Sequence, residues 1–345
     1  MDDSTATAIS NPSPDTAVLL LQLGGPGSVH QVRTFIRRML SDPAVVALPW
    51  PVRLPLAALV AFGRAPVVKR QYKVIGGGSP IRRITEAQAA RLQEALLRLG
   101  HGMPVLLGMR HSEPSFLTAL AQVKAMGGVK TLVLLPLFPH FSRTTTGSLL
   151  DAVRGEANGV LDLTLVPILD WAEETGYVKA VVRTIEDALS RLSEGGRRDP
   201  VVLFSAHGLP ESHVRRGDPY PKRVMATIKA VEVLMGSTLP RHAVCYQSRL
   251  GPLRWLGPST KEAILSAAQS GASAVILVPI SFVCDHLETL YEMDVVLRAV
   301  ATRAGLECVR APCMNDSLDL AQALATMVVK TLRRHGSGPA GLAPL

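Results

Sequence analysis

Aromatic side chains are scarce in this chain: 4% of its 345 residues, although 47% are hydrophobic. Single-stranded nucleic acid is bound through stacking rings, and duplexes through a concentrated basic face. The formal charge of +9 reads as spread along the chain, in short pairs such as Arg37-Arg38, Arg82-Arg83 and Arg333-Arg334. That pattern speaks against nucleic acid and leaves open an anionic small ligand or an anionic membrane surface. Cysteine is sparse too. Cys245, Cys284, Cys308 and Cys313 show neither C-x-x-C metal spacing nor the density of a disulfide scaffold, so reduced thiols in the cytoplasm are expected. The opening MDDSTATAISNPSPD lacks the basic flank and apolar core of a signal peptide. The longest apolar segment, AVVALPWPVRLPLAALVAF (44–62), carries Arg53 and three prolines. A proline-broken surface lip or a buried helix is expected there rather than a membrane span. No G-x-S-x-G elbow, G-x-G-x-x-G fingerprint or P-loop occurs. LGGPG (23–27) reads instead as a tight turn that lets the backbone approach a flat ligand.

What is present is an alternation. Apolar runs at 18–23, 104–109, 131–138, 163–169, 201–206 and 274–282 are separated by amphipathic stretches. Thr85 with Gln88, and Ser259 with Glu262, have the spacing of capping boxes that open helices ending at Gly100 and Gly271. Continuous apolar strands between helices indicate parallel sheets covered on both faces. The chain also repeats itself: VLLLQLGGP parallels VVLFSAHGLP, and AMGGVKTLVLLPLF parallels AQSGASAVILVPISF. The expected fold class is therefore α/β, with two similar Rossmann-like lobes, each a parallel sheet flanked by helices, and a central cleft. The lobes are expected at 17–158 and 159–335, after a disordered stretch 1–16 and before a flexible tail 336–345.

FSAHGLP (204–210) ends an apolar run on a histidine among small residues. In open α/β sheets, ligands bind beyond the carboxyl ends of strands. Taken alone, His207 reads more simply as a loop histidine capping a neighbour. The segment SFVCDHLETLYEMD (281–294) also follows a very apolar strand, and it brings Asp285, His286, Glu288, Glu292 and Asp294 together. Glu288 and Glu292, four apart, share a helix face where like charges repel. Either a cation or a proton relay lies between them, or this is an exposed acidic helix start. One histidine with a row of carboxylates suits transient binding of Fe2+ or a similar ion better than a closed zinc site.

These residues lie in motifs that resemble the ferrochelatase family, whose members insert ferrous iron into a porphyrin. LLLQLGGPGS, RRMLSDPAVV, GGGSPIRRITEAQA, GMRHSEP, LPLFPHFSRTTTGS, FSAHGLPESHVRRGDPYP, YQSRLGPLRWLGPST and VPISFVCDHLETLYEMD occur in that order, from about residue 17 to 330. The resemblance implies that His207 takes pyrrole protons or binds the metal. It implies that Glu288 faces His207 across the porphyrin, and that Glu292 continues an acidic line passing metal or protons inward. A further acidic position of some members is Val296 here. Arg110 and His111 match pocket residues of the opposite wall; Ser142, Thr144, Thr145, Thr146 and Ser148 match a loop beside the propionates. Trp255 matches a pocket wall, and His286 belongs to the substrate site with it.

The implied chemistry needs a rigid slot that bends the macrocycle, a base for its two N–H protons, and a weak metal site. Fe2+ is then a substrate. Some members hold a two-iron two-sulfur cluster through cysteines near the C-terminus and in a YSCSTTGS-like loop. Arg143 takes that loop position here and no cysteine follows Cys313, so no cluster is expected. Protoporphyrin IX is the expected porphyrin. Alternatives are a coproporphyrin ferrochelatase, a chelatase of another tetrapyrrole or metal, and a non-catalytic porphyrin or haem carrier. A cytoplasmic monomer touching the inner membrane peripherally through the 44–62 lip completes the expectation, with no nucleic-acid partner.

Overall fold

A computed structural model describes residues 15–336 except 47, 159–161, 250 and 252. Of the expected disordered start 1–16, residues 1–14 lie outside the described residues while Thr16 already belongs to a strand; of the expected tail 336–345, Gly336 ends a helix and the rest lies outside. The first lobe runs β1 (Thr16–Gln22), α1 (Val32–Leu40), α2 (Trp50–Val74), α3 (Ile81–Arg98), β2 (Val105–Met109), α4 (Phe116–Ala125), β3 (Thr131–Pro136), a π-helical turn (Arg143–Gly147), α5 (Ser148–Ala157) and β4 (Thr164–Pro167). The second runs α6 (Thr175–Ser190), β5 (Pro200–His207), α7 (Glu211–Arg215), α8 (Tyr220–Met235), β6 (Arg241–Gln247), α9 (Thr260–Gln269) and β7 (Ala274–Val278). It continues with a π-helix (Glu288–Leu297), α10 (Arg298–Arg303), β8 (Glu307–Arg310) and α11 (Leu318–Gly336).

Among the described residues, the strands form two all-parallel sheets with the same order, β2-β1-β3-β4 and β6-β5-β7-β8. The internal repeat is thus a repeat of topology. β1 and β7 are buried along their whole length, because helices cover both faces of each sheet. In each sheet the order reverses between the first and third strands in chain order. The carboxyl ends of β1/β3 and of β5/β7 therefore open crevices that suit ligands.

Three expectations change. The run at 163–169 belongs to the first sheet, since β4 pairs with β3, so the seam lies after Pro167 and not at 158. The pattern of one apolar strand does not say which sheet it joins. Helix α11 also returns to pack on α3 as well as α6, tying the lobes together. Thr85 does not cap a helix: α3 starts at Ile81 behind Pro80, and the Thr85 hydroxyl donates to the Ile81 carbonyl at 2.7 Å. The Ser259–Glu262 box forms as expected at α9. Edge strands β6 and β8 escaped the pattern reading because the first residues of β6 are exposed and β8 is only partly buried.

Helix α2 is inverted. Small residues Ala57, Ala61 and Ala65 face inward with Tyr72, while Leu59 (70%), Trp50 (68%) and Phe62 (65%) are exposed. The 44–62 segment is thus a surface lip, not a core helix. Charge is concentrated on the same region. Residues 16–85 carry ten Lys and Arg against a single acid, Asp42, so this segment holds the whole chain's formal +9. The reading of charge as evenly spread is corrected by that count.

Candidate active site

His207 is the last residue of β5, and the turn behind it explains its small neighbours. The Gly208 N–H donates to the Gln247 carbonyl at 2.7 Å, drawing the ends of β5 and β6 together. A Cβ on Gly208 would stand 2.6 Å from that carbonyl oxygen and 3.2 Å from the Trp255 ring, so only glycine fits. Beneath the histidine, the buried Ser205 hydroxyl donates to Gln247 Oε1 and meets Thr260 Oγ1, each at 2.7 Å. The base of the site is a packed, fully bonded floor.

The loop after β7 supplies the partner. Val283 and Cys284 are buried, the chain turns at Asp285, and Glu288 opens the π-helix. His207 Nδ1 lies 2.9 Å from Glu288 Oε2, and His286 Nε2 lies 3.8 Å from the same oxygen. Phe282 stands edge-on to His207, 6.1 Å between centroids, and tilts over His286 at 4.7 Å. His207 and Glu288 therefore sit in contact on one wall of the crevice, both from the second lobe. The expectation that they oppose each other across a macrocycle is corrected, because the switch point places β5 and β7 side by side.

The electrostatics separate the acids. Burial alone would lower the His207 pKa, but the charge and hydrogen bond of Glu288, with Glu292 behind it, raise it above the ordinary histidine value. Burial alone would raise Glu288; His207 and His286 outweigh it and hold that carboxyl well below its usual range. Glu292 goes the other way, raised by burial and by the Glu288 charge against the hydrogen bonds of Ser248. One carboxylate is a fixed anion and its neighbour takes a proton more readily, the division of labour that acid–base sites need. Glu292 accepts the Ser248 N–H at 2.8 Å and the Ser248 hydroxyl at 2.6 Å. Gln247 Nε2 donates to the Glu288 carbonyl at 3.0 Å. Ser248 adopts φ 64°, a left-handed conformation that a serine holds only under constraint.

The ferrochelatase family model matches residues 15–332. The chain belongs to the ferrochelatase family. Among its relatives, the ferrochelatase of Thermosynechococcus vestitus is 39% identical over 92% of this chain and 82% of its own length. That of Gloeobacter violaceus is 37% identical over 92% of this chain and 98% of its own. Two solved structures share the fold at low identity. The Bacillus subtilis SirB with Fe3+ is 13% identical with TM-score 0.53, covering 94% of this chain and 98% of that one. A cobalt complex of the sirohydrochlorin chelatase SirB from B. subtilis subspecies spizizenii is 12% identical with TM-score 0.54 and the same coverage. As a ferrochelatase, the protein is a two-lobed α/β metal chelatase that places iron in a porphyrin.

Within that ferrochelatase frame, other expected site residues have different occupations. The Arg110 guanidinium grips Asp42, with Nη2 2.9 Å from Oδ1, and also donates to the Ser148 carbonyl. His111 is buried beside it and pushed down to about 4, by burial first, with Arg110 adding to the effect and Asp42 opposing it. These two residues are tied to Asp42 at the lip's root. Ser142 donates to Asp218 Oδ2 at 2.8 Å and meets the Thr144 hydroxyl at 2.9 Å, while the Arg143 N–H reaches the same Asp218 oxygen at 2.9 Å. The Thr145 carbonyl accepts from Ser148, and Thr146 is fully buried with an unpartnered hydroxyl. The 142–148 loop is thus strapped to the second lobe. Trp255 lies against Gly208, and His286 lies beside Glu288.

Sequence reasoning missed Gln247, Ser248 and Tyr72. Gln247 ends β6 and Ser248 follows it, and their only signal was membership of the YQSR motif. Tyr72 lies in the last turn of the lip helix; burial and then the nearby Glu288 charge raise its pKa. It packs with Val32, Ile36 and Leu287, which seats the lip on the start of the π-helix.

Proposed function

We propose that the protein inserts Fe2+ into protoporphyrin IX, releasing two protons, with His207 as the base and Glu288 as its fixed anionic partner. The 2.9 Å contact between them carries this reading. With Glu288 accepting from Nδ1–H, the neutral imidazole keeps Nε2 as its proton acceptor. The imidazolium formed on taking a pyrrole proton is stabilised by the same carboxylate, an arrangement of base and orienting acid that recurs in acid–base catalysis. Glu292, readier to bind a proton, accepts the second. Among the described residues no three His, Cys, Asp or Glu side chains converge as a metal cage, so His207, Glu288 and Glu292 would hold iron weakly enough to release it into the ring. Bending the macrocycle against a packed wall contributes ~1–5 kcal/mol, drawn from binding the rest of the ring. Anaerobic mixing of protein, porphyrin and Fe2+ tests the reading through the spectral change of metallation. Comparing protoporphyrin IX with coproporphyrin separates the two ferrochelatase readings, and binding without turnover would indicate a carrier.

We read the four cysteines as structural thiols and not as cluster ligands. Burial pushes Cys245 and Cys308 up to about 11 and Cys284 up to about 12, as for packed, unreactive thiols. We place the enzyme peripherally on an anionic membrane. The exposed apolar face of α2, set in the segment that holds the chain's excess positive charge, supports that placement.

A further inference from the structure

The segment 285–294 carries four carboxylates, and only Glu288 and Glu292 face His207. Asp285 and Asp294 turn to Arg310, the last residue of β8. Its Nη1 is 3.1 Å from Asp285 Oδ1, its Nη2 is 3.0 Å from Asp294 Oδ2, and its Nε is 3.0 Å from both Asp294 oxygens. The guanidinium is 11% exposed. Asp285 is fixed further: its N–H donates to Asn315 Oδ1 at 2.8 Å, and its carboxylate accepts from Asn315 Nδ2 and Thr289 Oγ1, each at 2.9 Å. One arginine therefore links a residue just ahead of the π-helix to a residue inside it.

The local sequence gives that helix little support of its own. A π-helix is rare, and Glu288 and Glu292 repel at a spacing of four. We propose that Arg310 is a positioning residue for Glu288: by stapling Asp285 and Asp294 it sets the register of the π-helix and keeps two further carboxylates off the reacting face. Without it, Glu288 loses its fixed place against His207, and a larger set of hard oxygen donors becomes available to hold the metal. The inference rests on the roles proposed for His207 and Glu288.

The test uses R310M, R310K and the triple variant D285N/D294N/R310M, which leaves all three positions uncharged. Chelatase turnover, Fe2+ KM, porphyrin Kd from fluorescence quenching and Tm are measured for each. Removing the buried network as a whole is often close to neutral for stability, so the triple variant decides the matter if R310M does not fold. The expected result is a fall in kcat of about 10-fold or more in R310M and in the triple variant, the size typical of lost outer-layer support at a metal site. Porphyrin Kd stays within about 2-fold, and R310K recovers part of the rate because it keeps the charge but not the fork. Wild-type kcat in a folded R310M or in the triple variant overturns the proposal, as does a loss of porphyrin affinity that matches the loss of rate. Absence of turnover in the wild-type enzyme would refute the assigned reaction instead, so the two failures are distinguishable.

Discussion

Asp218 of the second lobe accepts the Ser142 hydroxyl of the first at 2.8 Å, and this bond joins the GDPYP turn to the loop after β3. The same carboxylate also takes the N–H groups of Arg143 and Tyr220, at 2.9 and 3.0 Å. D218A would leave the Arg143 and Tyr220 N–H groups without this acceptor and the Ser142 hydroxyl with Thr144 alone, and each unsatisfied group costs ~1–3 kcal/mol. A drop in stability of at least about 2 kcal/mol is expected in denaturant unfolding, together with a raised porphyrin KM as the lobes lose their fixed spacing. Unchanged stability would show that the strap contributes nothing.

G208A should damage the site without touching a reacting group. Its Cβ would sit 2.6 Å from the Gln247 carbonyl, a backbone atom with no freedom to yield locally. Overpacking of this kind costs ~1–3 kcal/mol. The ends of β5 and β6 must part, so turnover should fall with His207 still present. A G208A enzyme with normal kcat would mean that this close approach is unimportant.

Stability should decline in mild acid because two histidines are buried neutral. His140 is pushed down to about 3, by burial first, and His111 to about 4. Their folded pKa values lie below the unfolded value of about 6.5. The neutral-state stabilisation is therefore complete above about pH 6.5 and is lost as pH falls toward 4 and then 3. Each should remove about 2 kcal/mol between pH 7 and pH 5. H140Q, which can keep a bond to Thr227, should show a shallower decline in urea midpoints over that range. An identical slope in wild type and H140Q would contradict the assignment.

The lip should bind anionic vesicles and release them in salt. Co-sedimentation with phosphatidylglycerol vesicles is expected to exceed that with phosphatidylcholine, to weaken as ionic strength rises, and to weaken further in L59Q/F62Q. Equal binding to both lipids would remove the electrostatic part of the account.

Much of this was legible before the structure. Strands β1, β3, β5 and β7 announced themselves because central parallel strands are apolar on both faces. His207 was legible because it ends such a strand, and Glu288 because it lies in the segment after one. Their direct contact was not, since it depends on β5 and β7 being neighbours in space, which no single strand's pattern reveals. The fate of Arg110 was hidden for a related reason. Its partner Asp42 lies far away in the chain, and an arginine committed to a buried carboxylate has the same sequence signature as one awaiting a ligand. The π-helix at 288–297 left no mark, because apolar spacing barely distinguishes an i→i+5 ladder from an α-helix over ten residues.

The central claim is that His207, oriented by Glu288, accepts the pyrrole protons. Its most direct test is anaerobic single-turnover metallation of protoporphyrin IX by wild type, H207A and E288Q, followed through the Soret band. Wild type should metallate the ring, and H207A should bind porphyrin with near-normal affinity while metallating about 100-fold more slowly or worse, with E288Q impaired in the same sense. Metallation by H207A at close to the wild-type rate would contradict the account.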